Sequence, residues 1–286
     1  MTKPVGFVGL GQMGAPMARR LLDWPGGLVV YDTRAAAMAP LVDAGARAAS
    51  SPREVAETAG VISVMVLDDA QVEEVIAGPA GLLESAAPGT VIAIHSTIGE
   101  STAVRLAEET EPAGIAVVDA PVSGGAMGAA NGSLAVLVGA SEEAFARCQE
   151  PFRTWASLVM HAGPPGAGTR AKLARNLLHF VAFTAAAEAQ RLAEAAGIDL
   201  IELGKVVRHS DAVTGGPGAI MHRSTTAPVD PADGWYPILS HVRELAGKDL
   251  ALAIELGHTL GVELPLAELA AKRFALELGV GTEETT

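Results

Sequence analysis

Three groups of residues in this 286-residue chain have the types and spacing that chemistry needs. The first is Gly9-x-Gly11-x-x-Gly14, with Asp32 and Arg34 further on. Glycines so spaced permit a tight turn, close approach of backbone to a pyrophosphate, and close packing of a helix on a strand. The helix that begins there offers free N–H groups and positive potential to the same pyrophosphate. An acid at the end of the next strand accepts hydrogen bonds from the adenine ribose hydroxyls and repels a 2′-phosphate. Asp32 therefore points to NAD, while Arg34 leaves NADP open, because a guanidinium can receive that phosphate. In a chain with 32 glycines the spacing alone is weak, and a glycine turn without ligand competes with it. A strand before it, a helix after it and the acid beyond weigh for the nucleotide.

The second group is Pro121-Val122-Ser123-Gly124-Gly125. A hydroxyl beside two glycines whose N–H groups can converge suits an anion such as a substrate carboxylate. Standing alone, the segment reads better as a plain glycine-rich loop between strands. The third group is Lys172 and Asn176, four residues apart on a predicted helix and so on one face. A lysine at a nicotinamide cleft protonates a carbonyl oxygen as hydride arrives and takes the hydroxyl proton in reverse. The amide would hold the lysine or the substrate oxygen. Most lysines are simply exposed on helix surfaces, and that reading stands beside the catalytic one.

The elements that must position these groups follow from the apolar pattern. Strands are expected at 5–8, 28–31, 61–66, 90–94, 115–119, 134–138 and 158–161, with helices at 13–22, 35–44, 52–59 and 100–109. Alternation at this spacing, with near-continuous apolar strands, gives a doubly wound, mostly parallel sheet of the Rossmann type. After the Gly/Pro-rich stretch 161–169 the strand signal stops. Helices are expected at 170–196, 200–209, 238–256 and 265–278, with 210–237 as a loop. The expected domains are therefore an NAD(P)-binding domain, 1–163, and an all-α substrate and oligomerisation domain, 164–286.

At the level of motifs the chain resembles the β-hydroxyacid dehydrogenases of the 3-hydroxyisobutyrate dehydrogenase and tartronate semialdehyde reductase type. Four segments in order carry the resemblance: GFVGLGQMGAPMA (6–18), DAPVSGGAMGAANGSLAVLVGA (119–140), GAGTRAKLARN (166–176) and GKDLALAIELG (247–257). The resemblance adds Gln12 and Met13 to the cofactor turn. It places Val66 and Leu67 at the carboxyl edge of the sheet beside the cofactor. Thr97 matches the second member of a Ser-Thr pair at the nicotinamide ribose, and Lys248 a lysine reaching towards the cofactor. It makes Lys172 the general acid/base, Asn176 its helper, and Ser123, Gly124 and Gly125 the substrate site. Three departures leave the substrate open: Arg175 replaces an asparagine, Ile94 and His95 stand where an acid often precedes the Ser-Thr pair, and Arg20 replaces a small polar residue.

Composition narrows the rest. A net charge of −13 repels nucleic acid and anionic lipid. The single cysteine, Cys148, excludes an intrachain disulfide and fits a reducing compartment, so a cytoplasmic protein is expected. Six further histidines, at 161, 179, 209, 222, 241 and 258, show no metal-ligand spacing, and no metal is expected. The first helix of the second domain is too apolar to leave one face bare, which implies a homodimer or homotetramer. The reading is hydride transfer between NAD(P) and a small β-hydroxy acid. Its rivals are an imine or bulky-carbonyl reductase on the same scaffold, which would act without a substrate carboxylate, and a non-enzymatic NAD(P)-binding sensor, which would bind cofactor without turnover.

Overall fold

The computed structural model describes residues 2–281; Met1 and the last positions of the expected helical domain, 282–286, lie outside the described residues. The strands among them are β1 (Val5–Val8), β2 (Leu28–Tyr31), β3 (Arg47–Ala48), β4 (Val61–Val64), β5 (Val91–Ile94), β6 (Ala116–Asp119), β7 (Val122–Ser123), β8 (Leu134–Gly139) and β9 (Ala156–Gly163). Between them run α1 (Gly14–Arg19), α2 (Ala35–Val42), α3 (Pro52–Ala56), α4 (Asp69–Ala77), α5 (Glu100–Thr110), α6 (Gly125–Asn131) and α7 (Glu142–Phe152). The helical part contains α8 (Ala167–Ala195), α9 (Leu200–Thr214), α10 (Trp235–Leu260) and α11 (Pro265–Glu277).

The first six strands are parallel in the order β3-β2-β1-β4-β5-β6, so the strand order reverses between β1 and β4. That is the doubly wound dinucleotide-binding order, and its ligand crevice lies outside the strand carboxyl ends at the reversal. Beyond β6 the sheet continues through β8, antiparallel to β6 and β7, with β9 parallel to β8. Alternate residues of each strand feed two cores, as the pleat requires. Phe7, Val30, Val91 and Val136 pack on one face, and Val8, Val29, Ile62 and Ile92 on the other.

Several boundaries differ from the sequence expectation, each for a local reason. β4 stops at Val64 rather than 66, because the Val66 N–H is taken by the Ser96 hydroxyl instead of a neighbouring strand. The stretch 210–237 is not all loop: α9 runs on to Thr214, where Gly215 closes it in a left-handed conformation. α10 begins at Trp235 and accommodates Pro237 in its first turn, where backbone N–H groups have no intrahelical acceptor to lose.

By internal contacts the chain divides into two compact units after Arg175. The first turns of α8 belong with the sheet. The helical unit has its own small core of Val229, Leu239, Leu278 and Val280, against which Trp235 and Tyr236 pack. Within that unit the buried Glu188 carboxylate accepts the N–H groups of Leu266 and Ala267 and so caps α11. No helix among the described residues is long and apolar enough to cross a membrane.

Candidate active site

The turn after β1 is built by steric necessity. Gly9 holds φ +91°, and a Cβ there would collide with the Met65 carbonyl oxygen. A Cβ at Gly14 would collide with the Gly9 carbonyl oxygen, so only glycine lets α1 start this close to the turn. At Gly11 a Cβ would meet nothing within 4 Å: its backbone faces open space. That space is a cavity of about 730 Å³ lined by Gly9, Gly11, Gln12, Met13, Gly14, Asp32, Arg34, Val66 and Leu67. Val8, Tyr31, Thr33, Met65, Gln71, Glu74 and Val75 complete the wall, and nothing in the sequence marked them as cofactor residues. Of the expected cofactor residues in the first unit, Thr97 does not line it. Thr97 is exposed just past β5. Lys248 is exposed on α10 and pairs with Asp249 at 3.3 Å.

Asp32 occupies the end of β2 almost fully buried. Its Oδ2 accepts the Leu10 N–H at 2.7 Å, and its Oδ1 accepts the Arg34 N–H at 2.9 Å and Nε at 3.2 Å. Burial raises its carboxyl, but the Arg34 and Leu10 donors more than offset that, so the net shift is downward and the group stays ionised. A carboxylate offers about four acceptor sites and three are used, which leaves one for a ribose hydroxyl. Open backbone at Gly11, an uncapped helix start at α1 and an ionised acid at the strand end fit a dinucleotide.

The neighbouring loop Val66–Leu67 is fixed by residues the sequence reading did not name. The Ser96 hydroxyl accepts from the Val66 N–H at 3.0 Å and donates to its carbonyl at 2.7 Å. Gln71 accepts the Leu67 N–H at 3.0 Å. Ser96 is the first member of the Ser-Thr pair, so a signal existed and was assigned only to Thr97.

Lys172 is 8% exposed, and its Nζ donates to the Val122 carbonyl at 2.7 Å. No carboxylate among the described residues lies within ion-pair distance of it. Burial, with the Arg175 guanidinium adding, lowers its pKa below the ordinary lysine value. Its head group is thereby delivered to the Val122–Gly125 turn. There the half-buried Ser123 hydroxyl has no hydrogen-bond partner among the described residues, and Gly124 and Gly125 hold φ +131° and +66°. A Cβ at Gly125 would meet nothing within 4 Å, so this backbone too faces open space. The segment is therefore a two-residue strand leading into α6, not a plain loop. Asn176, half-buried, follows Lys172 by one turn of α8.

His95 does not belong to this site. Its Nδ1 donates to the Ala120 carbonyl at 2.7 Å, its Nε2 accepts from the Ser63 hydroxyl at 2.9 Å, and Phe7, Phe152 and Trp155 surround the ring. Arg20 is likewise structural, donating to the Thr154 carbonyl at 3.0 Å. Cys148 is buried, and burial pushes its thiol up to about 12.

Burial lowers the His95 pKa from 6.5 to about 4, so the unfolded chain binds more protons than the folded one between those values. Stability should fall as the pH drops from 6.5 towards 4, with about 3 kcal/mol from this ring. Urea denaturation at pH 7 and pH 4.5 measures it. An unchanged pH slope in His95→Gln would refute the assignment.

A doubly wound sheet with a glycine turn, an acid at the second strand end and a cavity at the strand reversal defines an NAD(P)-dependent oxidoreductase. Residues 4–163 match the NAD binding domain of 6-phosphogluconate dehydrogenase, and residues 166–284 match the family described as NAD-binding of NADP-dependent 3-hydroxyisobutyrate dehydrogenase. The chain belongs to the β-hydroxyacid dehydrogenase family. It is 62% identical to an uncharacterised oxidoreductase of Mycobacterium tuberculosis, over 99% of this chain and 96% of that one. It is 35% identical to the NAD-dependent L-serine dehydrogenase of Pseudomonas aeruginosa, over 99% of this chain and 94% of that one. A crystal structure of an oxidoreductase from Mycobacterium avium superposes with a TM-score of 0.94 at 53% identity, covering 98% of this chain and all of that one.

Proposed function

We propose that this dehydrogenase oxidises a small β-hydroxy acid reversibly to its semialdehyde, with Lys172 moving the proton. The observation that carries the reading is Lys172 itself: a buried lysine without a carboxylate partner, held at a turn with an unused hydroxyl. Such a lysine is expensive to fold and is most readily explained by chemistry. A nicotinamide bound at the glycine turn and Asp32 would supply hydride-transfer chemistry at the carbon that bears the oxygen. Ser123 and the Gly124–Gly125 backbone anchor the substrate carboxylate. In oxidation the neutral Lys172 amine takes the hydroxyl proton; in reduction the ammonium returns it to the carbonyl oxygen. Asn176 orients that exchange. L-Serine, in the name of one relative, and 3-hydroxyisobutyrate, in the description of the matched family, both carry a CH2OH group one carbon from the carboxylate, which is the pattern these groups would read. Turnover of a panel of such acids with NAD and NADP, followed by nicotinamide absorbance, tests the reading. Turnover only on substrates lacking a carboxylate would overturn it.

NAD is the proposed preferred cofactor, because Asp32 is ionised at the ribose position. Asp32→Ala is expected to weaken NAD binding by about 10- to 100-fold, the usual worth of one charge-assisted hydrogen bond. It also removes the acceptor of the Leu10 N–H and so loosens the turn. Arg34→Ala should weaken NADP more than NAD. If the natural protein strongly prefers NADP and Arg34→Ala abolishes that preference, the role given to Asp32 is wrong. We also propose assembly as a homodimer or homotetramer through the helical unit, and a cytoplasmic location.

A further inference from the structure

We propose that Asp119 is a positioning residue for Lys172, fastening the start of α8 to the sheet so that the lysine head reaches the Val122–Gly125 turn. This rests on reading Lys172 as the proton-transfer group. Asp119 is the last residue of β6 and is fully enclosed. Its Oδ1 accepts the Gly166 N–H at 2.7 Å and its Oδ2 the Thr169 N–H at 2.6 Å. Three residues on, the Val122 carbonyl takes the Lys172 ammonium. One short segment, Asp119 to Val122, therefore holds α8 at two points a single turn apart, at Thr169 and at Lys172.

The source of the carboxylate matters. α3, α4, α7 and α9 are capped by the residue next to them, Ser51, Asp68, Ser141 and Asp199. A local cap satisfies orphan N–H groups but leaves the helix free to move with its own loop. The donors at the start of α8 are instead met by a side chain 47 and 50 residues away, on a strand. That arrangement ties the helix to the sheet rather than to itself. Packing leaves no slack: a Cβ at Gly168 would collide with the Leu137 carbonyl oxygen and approach the Asp119 carbonyl oxygen to 2.6 Å. The joint also falls where β6 meets β8, at the Asp119–Gly139 pair. Burial raises the Asp119 carboxyl above its ordinary range, and the Thr169 and Gly166 N–H groups at the positive end of α8 offset only part of that.

The experiment is a double-mutant cycle with two readouts. Asp119→Asn keeps the volume and one acceptor but turns an NH2 towards one of the two N–H groups. Turnover is expected to fall by about 10- to 100-fold, the scale of a misplacement near 1 Å. The cofactor titration should stay within about twofold. Placed on a Lys172→Ala background, the same change should alter residual turnover by less than about twofold, since it acts through the missing lysine. The second readout needs no cofactor: the pH at which Lys172 reacts with an N-hydroxysuccinimide ester, followed by mass spectrometry. Releasing the lysine from its buried seat should move that pH upward, towards an ordinary lysine. If Asp119→Asn does not fold, Gly168→Ala imposes the same displacement without touching the charge, and the same outcomes apply. An equal loss of turnover with and without Lys172, or an unmoved labelling pH, overturns the proposal. Near-natural turnover by Lys172→Ala alone would instead remove the functional reading beneath it.

Discussion

Lys172→Ala leaves cofactor binding almost intact while kcat falls by about 10² to 10⁴, the span general acid–base groups usually contribute. The expectation follows from where the ammonium sits: at the Val122 carbonyl, beside the Ser123–Gly125 turn, and outside the lining of the cavity at the glycine turn. Lys172→Arg should not restore turnover, because guanidinium keeps its proton near neutral pH and has a different shape. Asn176→Ala should cost less, since it misplaces the donor without deleting it. The two losses should not add, because the residues act as a unit. The pH dependence has a definite sign. Burial, then the Arg175 charge, lowers the Lys172 pKa below 10.5, so neutral amine is available at lower pH than in a free lysine. In the oxidative direction kcat/KM should therefore rise with pH through a limb lying below 10.5, and that limb should vanish in Lys172→Ala. Steady-state turnover beside a direct cofactor titration measures both. Near-natural turnover by the alanine variant would end the mechanism. His95 could not inherit the role, since both its ring nitrogens are engaged inside the core.

What could be read from the sequence, and what could not, divides along the range of the interactions involved. β1 and β2 were legible to the residue because buried parallel strands are continuous apolar runs with no competing pattern. β3 and β7, two residues each, are too short to form a pattern. The cofactor cavity was legible at the glycines and Asp32, whose types are dictated by the local backbone and the ligand. Its far wall, Gln71 and Val75 on α4, has no such constraint. The stretch 161–169 is where secondary structure changes type and where one matched family gives way to the next, whereas the contact-defined unit runs further. What carries the unit on to Arg175 is the Asp119 carboxylate, contacting residues about 50 positions away, and no local pattern records that. His95 misled for a related reason. A departure from a family pattern at a strand end drew attention to the substrate, whereas the pleat turns that side chain to the core face, among Phe7, Phe152 and Trp155.

The protein should sediment as a dimer or tetramer at micromolar concentration, with α8 at the subunit contact. α8 has 29 residues, about 44 Å at 1.5 Å per residue, and several of its large apolar side chains are exposed. Leu173, Leu177 and Phe180, spaced four and three apart on one face, are 49%, 69% and 59% exposed, and Phe183 beside them is 59% exposed. The bareness continues along α10, where Ile238, Leu245, Leu252 and Leu256 recur at helical spacing and are each more than 40% exposed. A monomer rarely leaves apolar surface on this scale in water, whereas a second copy, carrying the same stripe, covers it by symmetry. In a two-fold interface each substitution is felt twice. Leu177→Glu or Phe180→Glu would bury two unpaired carboxylates, at about 3 kcal/mol each, and weaken the dimer by about 10⁴-fold. The variants should then run as monomers, or as aggregates once the stripe is left bare, while a lysine-for-glutamate change on the acidic face of α5, Glu108→Lys, should leave assembly alone. A natural protein that sediments as a monodisperse monomer at micromolar concentration, or a Phe180→Glu variant that assembles like the natural one, would show that this face is not where the subunits meet.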